Sequence, residues 1–243
     1  VSVWAPRSLT DRAVLGWRLG PLTLRVHRRG NGVGVSWRHG EDTGLAHVDD
    51  TVAPGDDEIR LLCRGVPDRV ALEPVLADRN VVFRAERPLT IAAGGTATAY
   101  VTSPLWVRLR VGGAVHEIPS HRPTDTWFGT PLAGELCYAA VTSLRVSLDD
   151  LPARPHRAVT EVRLRARDTD LVVRRLLLPM PELAVYRGPD GRHWSDIVDL
   201  QPERDDLALV RAQGGPPSTT RASEPRRPAR ASSPLRVFNA FFG

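Results

Sequence analysis

Apolar and polar residues alternate singly along most of this chain, and that period of two is the strongest constraint on its fold. Successive side chains of an extended strand point to opposite faces, so each such run buries one face and wets the other. Leu22–Arg28 (LTLRVHR) sets Leu22, Leu24 and Val26 against Thr23, Arg25 and His27. Leu105–Val111 sets Leu105, Val107, Leu109 and Val111 against Trp106, Arg108 and Arg110. Glu161–Arg167 carries three arginines on its polar face. Further strands are expected at Val33–Trp37, Glu58–Arg64, Val70–Glu73, Val81–Ala85, Leu89–Ala92 and Thr96–Thr102. Others follow at Glu135–Val141, Thr160–Ala166, Leu171–Leu177, Leu183–Arg187 and His193–Leu200. Before residue 200 no segment shows a capped 3.6-residue period. Asp68–Asp78 comes nearest, and Pro74 in its interior would break a helix there.

Short alternating strands separated by Gly, Pro, Asp and Asn predict an all-β, β-sandwich-like protein. Two packed sandwich halves are expected, residues 1–111 and 112–213, followed by a disordered tail at 214–243. The run Arg29-Gly30-Asn31-Gly32 reads as a tight hairpin turn, since Asn-Gly supplies the positive φ values the turn needs. Gly30, Gly32 and Gly34 also suggest a phosphate loop, but no helix follows for a phosphate to cap. Ala93-Gly94-Gly95 reads as a second hairpin turn. The tail segment Gly214–Ser233 lacks aromatic and large aliphatic residues to offset the entropy of ordering. Beyond it Leu235–Gly243 is strongly apolar. It reads as an end that docks on its own sheet or as a tethered motif for a partner or a membrane surface. Tail contacts would come from Arg226, Arg227, Arg230, Phe238, Phe241 and Phe242.

Every one of the 33 basic residues is arginine. The last thirty residues hold five arginines and one acid, so residues 1–213 carry 28 arginines against 27 acids. A nearly neutral folded part argues against a nucleic-acid-binding core and against specific nucleic-acid recognition. No apolar run reaches the ~18–20 residues that span a bilayer. The opening VSVWAPRSLTDR has no charged start leading into an apolar segment, so no signal peptide is expected. Cys63 and Cys137 do not make a disulfide framework and read as buried free thiols in a reducing cytoplasm.

The residues offer little for chemistry. His116-Glu117 and His121 miss the HExxH spacing of a helical zinc site, and prolines interrupt them. His193-Trp194-Ser195-Asp196 has hydrolase residue types, but neighbours on a strand face opposite ways. Cys137 lies in an apolar strand without a neighbouring cation to activate it. No catalytic residue, metal or cofactor is expected. Two surfaces remain as candidates: Trp106 with Arg108 and Arg110, and the aromatic block Trp127, Phe128 and Tyr138.

The block Phe128-Gly129-Thr130-Pro131, Gly134 and Leu136-Cys137-Tyr138 resembles the prokaryotic domain-of-unknown-function family 432. Val81–Val107 is similar to the strand, proline, strand, glycine-turn, strand passage of that family. The chain lacks the basic residue expected directly after the cysteine. The resemblance implies a β-rich fold and a cytoplasmic prokaryotic setting, with no activity, cofactor or substrate. The expected function is a non-enzymatic binding or assembly module, with a protein partner or self-association. A small-molecule or carbohydrate site, or a hydrolase, near Trp127–Tyr138 is the alternative. Weak nucleic-acid or membrane-surface contact through the tail is a third.

Overall fold

The structure, a computed structural model, describes residues 2–204, 207–229 and 235–237. Its elements are β1 (Arg7–Ser8), β2 (Val14–Leu19), β3 (Leu22–Arg29), β4 (Gly32–His39), β5 (Ala46–Val48), β6 (Asp57–Leu62) and β7 (Arg69–Val75). Next come β8 (Val81–Ile91), β9 (Thr96–Pro104), β10 (Trp106–Val111), β11 (Ala114–Pro119), β12 (Asp125–Phe128), β13 (Glu135–Ala139) and β14 (Arg157–Arg165). The last are β15 (Leu171–Leu178), β16 (Val185–Arg187), β17 (His193–Ser195), β18 (Val198–Arg204), β19 (Leu207–Ala212), β20 (Thr220–Ser223) and β21 (Leu235–Arg236). Among the described residues the only helix is a 3-10 turn at Met180–Glu182. The fold is all-β, as the period of two requires.

Two compact units share the chain discontinuously. Unit 1 comprises residues 1–75, 104–122 and 154–156, and unit 2 the remainder. The expected boundary at 111/112 falls inside the β10–β11 hairpin of unit 1. A sequence-local reading could not see that β10 and β11 join a sheet begun by β1 and β7.

Unit 1 is a sandwich of two sheets, β5-β2-β3-β4-β6 and β1-β7-β10-β11. Their inner faces share one core in which Trp17, Leu22, Leu24, Val26 and Val35 meet Val70, Leu72, Val107, Leu109 and Ile118. Leu22, Leu24 and Val26 are fully buried, so the face assignment from alternation holds. The segment around Pro74 is strand β7 and carries no helix. Beside it β1 pairs only with Arg69 and Val70, so Pro74 needs no amide bond on that side. The loop at Asp49–Thr51 crosses the outer face of β2 at Gly16, where any Cβ would collide with the Asp49 carbonyl. Asp50 Oδ1 accepts from the Gly16 amide at 2.8 Å, and Arg7 grips both Asp50 oxygens.

These carboxylates make unit 1 acid-sensitive. The Thr51 hydroxyl, the Arg18 guanidinium and the Thr51 amide hold Asp49 down to about 2. The Arg7 guanidinium, against the cost of burial, lowers Asp50. A carboxylate lowered on folding contributes stability above its unfolded value, and that stability is lost as pH falls through the folded one. The thermal midpoint, followed by circular dichroism, should therefore drop between pH 4 and pH 2. Asp49→Asn should flatten that drop, and an unchanged acid profile in this variant would refute the assignment.

Unit 2 is built from a mixed sheet, β12-β13-β8-β15, and an eight-stranded sheet in which β9 also pairs with β14. Val81–Ala85 and Leu89–Ala92, expected as two strands, are one strand running through Pro88. The register against β15 slips between Val173 and Arg175, and Glu86–Pro88 lie within that slip, where a missing amide is tolerated. The Ala93-Gly94-Gly95 turn does not close a hairpin. It carries the chain from β8 in one sheet to β9 in the other, and Gly94 donates to Arg167 O at 2.6 Å. Gly94 has φ 73°, so either geometry would select glycine there.

The tail reading is corrected for residues 214–229. This segment forms β20, which pairs with the edge of β16. The amides of Arg226 and Arg227 donate to Pro181 O at 2.9 and 3.1 Å. Arg226 Nε donates to Leu76 O, and Arg227 pairs with Glu182 at 3.4 Å. Backbone pairing and guanidinium bonds order a segment that has no large apolar side chain.

Candidate functional site

The structure sorts the anticipated surfaces apart. Trp106, Arg108 and Arg110 lie on β10 of unit 1, while Trp127, Phe128 and Tyr138 lie on β12 and β13 of unit 2. Arg108 sits in register between Glu73 of β7 and Glu117 of β11, and its Nε donates to Glu117 at 2.7 Å. Arg110 donates to Glu73 at 2.7 Å. Their charge is matched within the sheet itself. Trp106 beside them is part-buried.

On β12, Phe128 turns into the core with Val82, Cys137 and Leu177. Trp127 turns the other way, is 48% exposed and pairs across strands with Leu136. Tyr138 lies on the same face as Trp127 but is buried, with the Arg79 guanidinium over its ring. Burial, with the hydrogen bond and charge of Asp78, pushes its hydroxyl up to about 12. Burial first, then Glu135, pushes the Cys137 thiol up to about 12, far from thiolate chemistry. Of the tail residues, Arg226 and Arg227 hold their own segment in place. Arg230, Phe238, Phe241 and Phe242 lie outside the described residues.

The histidines and the HWSD run are also separated. The His116 ring lies 5.5 Å from the Trp37 ring, tilted by 42°, and His121 Nδ1 contacts Arg122 O. Among the described residues no three His, Cys, Asp or Glu side chains gather as metal ligands. Ser195 Oγ lies 2.7 Å from Thr160 Oγ1. Asp196 accepts from the Ala184 amide and the Tyr186 hydroxyl, so it braces the backbone.

A site that the sequence reading did not single out lies on the outer face of unit 1. There β3 presents Arg25, His27 and Arg29, while its neighbour β4 presents Gly32, Gly34 and Ser36. Beyond β4, β6 presents Leu62, Arg60 and Glu58 at the same levels. The rows are Arg29–Gly32–Leu62, His27–Gly34–Arg60 and Arg25–Ser36–Glu58. Two ridges of long side chains thus flank a floor of Gly32, Gly34 and Ser36, and the His27 ring folds over its middle. The result is a trough of about 470 Å³ lined also by Pro54. Ser36 is buried, and its hydroxyl accepts from the Gly55 amide, so the Pro54–Gly55 loop closes that end. A second concavity of about 620 Å³ lies across the β3 ridge, sharing Arg25, His27 and Arg29 and adding Asp11, Arg12 and Gly30.

Glycine at 34 is set by the His27 ring, which lies where a Cβ would be. The hairpin reading of Arg29–Gly32 is correct: the two strands pair from Leu22↔His39 to Arg29↔Gly32, and Gly30 has φ 59°. The same glycines nonetheless open the trough. The sequence signal was available as arginines on the polar parity of β3 beside a Gly-x-Gly strand.

The electrostatics are one-sided. Arg12 and Arg29 form no ion pair among the described residues, and Arg60 reaches Glu58 only at 4.0 Å. Arg25 Nη1 sits 3.5 Å from His27 Nδ1. Burial and the charges of Arg25, Arg29 and Arg60 lower the His27 pKa, so the imidazole is neutral near pH 7 and adds no charge. The outer face of unit 2 provides a contrast. A groove of about 370 Å³ there is lined by Arg163, Arg165 and Arg211, with Asp199 and Gln201 between them. Arg163 pairs with Glu161, and Asp199 sits in register between Arg163 and Arg211. Each lining holds three arginines and one acid, but Asp199 stands between two of the unit 2 cations and Arg163 has a second partner in Glu161, whereas Glu58 stands at one end of the unit 1 trough and reaches Arg60 only at 4.0 Å.

No helix of the described residues is long and apolar enough to cross a membrane. No curated protein and no solved structure matches the chain. The family model described as Protein of unknown function (DUF432) matches residues 3–242, essentially the whole chain, which therefore belongs to that family.

Proposed function

We propose that this protein is a non-enzymatic binding module that holds a phosphate-bearing anion in the trough of unit 1. The observation that carries this reading is the set of Arg25, Arg29 and Arg60 around a floor of Gly32 and Gly34, with Glu58 the one carboxylate of the lining. Guanidinium groups offer forked donors that suit phosphate oxygens, and an exposed arginine without an acid partner has no competing bond to break. A nucleophile or general base is not needed for this role. The two free, buried cysteines fit a reducing cytoplasmic setting in a prokaryote, which is part of the same proposal. Assembly with a protein partner is the broader frame, and the trough favours an anionic ligand within it.

The test is retention on phosphocellulose. The triple variant Arg25→Ala, Arg29→Ala, Arg60→Ala should elute at clearly lower salt than the unmodified protein. The control is Arg163→Ala, Arg165→Ala, Arg211→Ala, which removes equal charge from unit 2. It should shift elution much less. Equal shifts would mean that net charge alone sets retention, and the trough would lose its claim. Far-UV circular dichroism of both variants checks that they are folded.

A further inference from the structure

Resting on that reading, we infer that the trough takes the sugar-phosphate backbone of an extended single-stranded nucleic acid. Shape and spacing favour such a chain. Outward residues on a strand repeat every two positions, about 6.6–6.8 Å. Arg29, Arg60 and Arg25 therefore stand at three successive levels of the trough, in steps comparable with the phosphate step of an extended single strand. From Gly32 to Ser36 the floor runs about 14 Å at that rise. A single phosphate would engage one level and leave the other arginines idle, so a linear anion with several charges uses the site fully. The walls stand on β3 and β6, two strand spacings or about 9–10 Å apart. That width admits one extended chain and excludes a duplex.

The trough also says how such a strand would be read. Its lining has no Trp, Tyr or Phe, and His27 is its one aromatic ring. Proteins that grip bases of single strands use aromatic stacking platforms, whereas a basic groove alone tracks the backbone. The binding is therefore sequence-independent, with at most one base or sugar stacked on the His27 ring. The near-neutral net charge of residues 1–213 does not preclude this. Neutrality of the whole chain is compatible with a basic face when acids are placed elsewhere, as they are beside Arg108 and Arg110.

Fluorescence anisotropy with a labelled ten-nucleotide oligothymidylate tests this on the full-length protein. The expected result is binding at low salt, with log affinity falling against log salt at a slope of about −2 to −3 for three to four phosphate contacts. The trough triple variant should bind about 100-fold more weakly at 50 mM salt, and the unit 2 control variant should stay within about threefold. A duplex of the same length should bind more weakly than the single strand, and tripolyphosphate should compete only at high concentration. Duplex binding as tight as single-strand binding would overturn the inference. So would single-strand binding that ignores the trough variant. If phosphocellulose retention still depends on the trough while the oligonucleotide does not bind, the single-strand inference falls and the anion site stands.

Discussion

Phe128→Ala should destabilise the protein by about 3–5 kcal/mol, the usual cost of removing a fully buried phenyl ring. Phe128 has no exposed surface and packs with Val82, Cys137 and Leu177. It is the inward residue of a short strand, so deletion leaves a cavity under the β12–β13 hairpin that backbone pairing cannot close. Arg175 makes the loss worse, because its guanidinium lies 5.4 Å from the ring centroid and would face the void. Trp127→Ala, one residue away, should cost only about 1 kcal/mol. Its indole is 48% exposed, and its Nε1 donates to Thr130 O within the same hairpin. Urea denaturation of the two variants measures the contrast. Similar costs would mean that the ring of Trp127 also packs against core and that β12 has no single buried face. The aromatic block read in the sequence as a binding surface thus holds two buried rings, Phe128 and Tyr138, beside one exposed ring, Trp127.

The alternation was legible because burial acts on one strand at a time. It assigned β3 and β4 correctly and the face of Arg25 and His27 with them. It missed β2, whose period is interrupted for the eye by Gly16, a residue selected by the Asp49–Thr51 loop lying on it. It missed β20 because that strand is held by the exposed edge of β16 and by Arg221, which donates to the Tyr186 hydroxyl at 3.0 Å. Pairing with a partner strand leaves no periodic mark on the strand that is added. The trough was hidden for a related reason. In the sequence Arg25 and Arg29 look like Arg108 and Arg110: arginines spaced by strand parity. Only the paired strands show that Arg108 lies between Glu73 and Glu117 and that Arg110 reaches Glu73, while Arg25 lies between Gly16 and Ser36 and Arg29 beside Gly32. Net charge averages over faces, and function depends on which face each charge is on.

The sharpest separation of shape from charge is Gly32→Val. It should weaken oligonucleotide binding by about tenfold, through steric block alone, while every arginine and acid stays in place. Gly32 is the open part of the trough floor, level with Arg29 on one wall and Leu62 on the other. A Cβ added there meets only the Arg29 carbonyl oxygen at 3.4 Å and Leu62 at 3.9 Å, so the valine fits without moving its neighbours. It raises the floor between the two ridges over a stretch an extended anion must cross. At Gly34 the same change would separate nothing, because the His27 ring already lies over that glycine. The fold should not suffer. Glycine inside a strand costs about 0.5–1 kcal/mol of conformational freedom, and valine suits a pleated surface, so thermal stability should hold or rise. His27→Ala keeps Gly32 open and removes only an uncharged ring, so it should weaken binding about threefold, the loss of one weak stacking contact. Binding of Gly32→Val at the level of His27→Ala would show that the strand does not run along β4. The arginines would then act as a diffuse positive face, as expected of weak, unshaped electrostatic attraction.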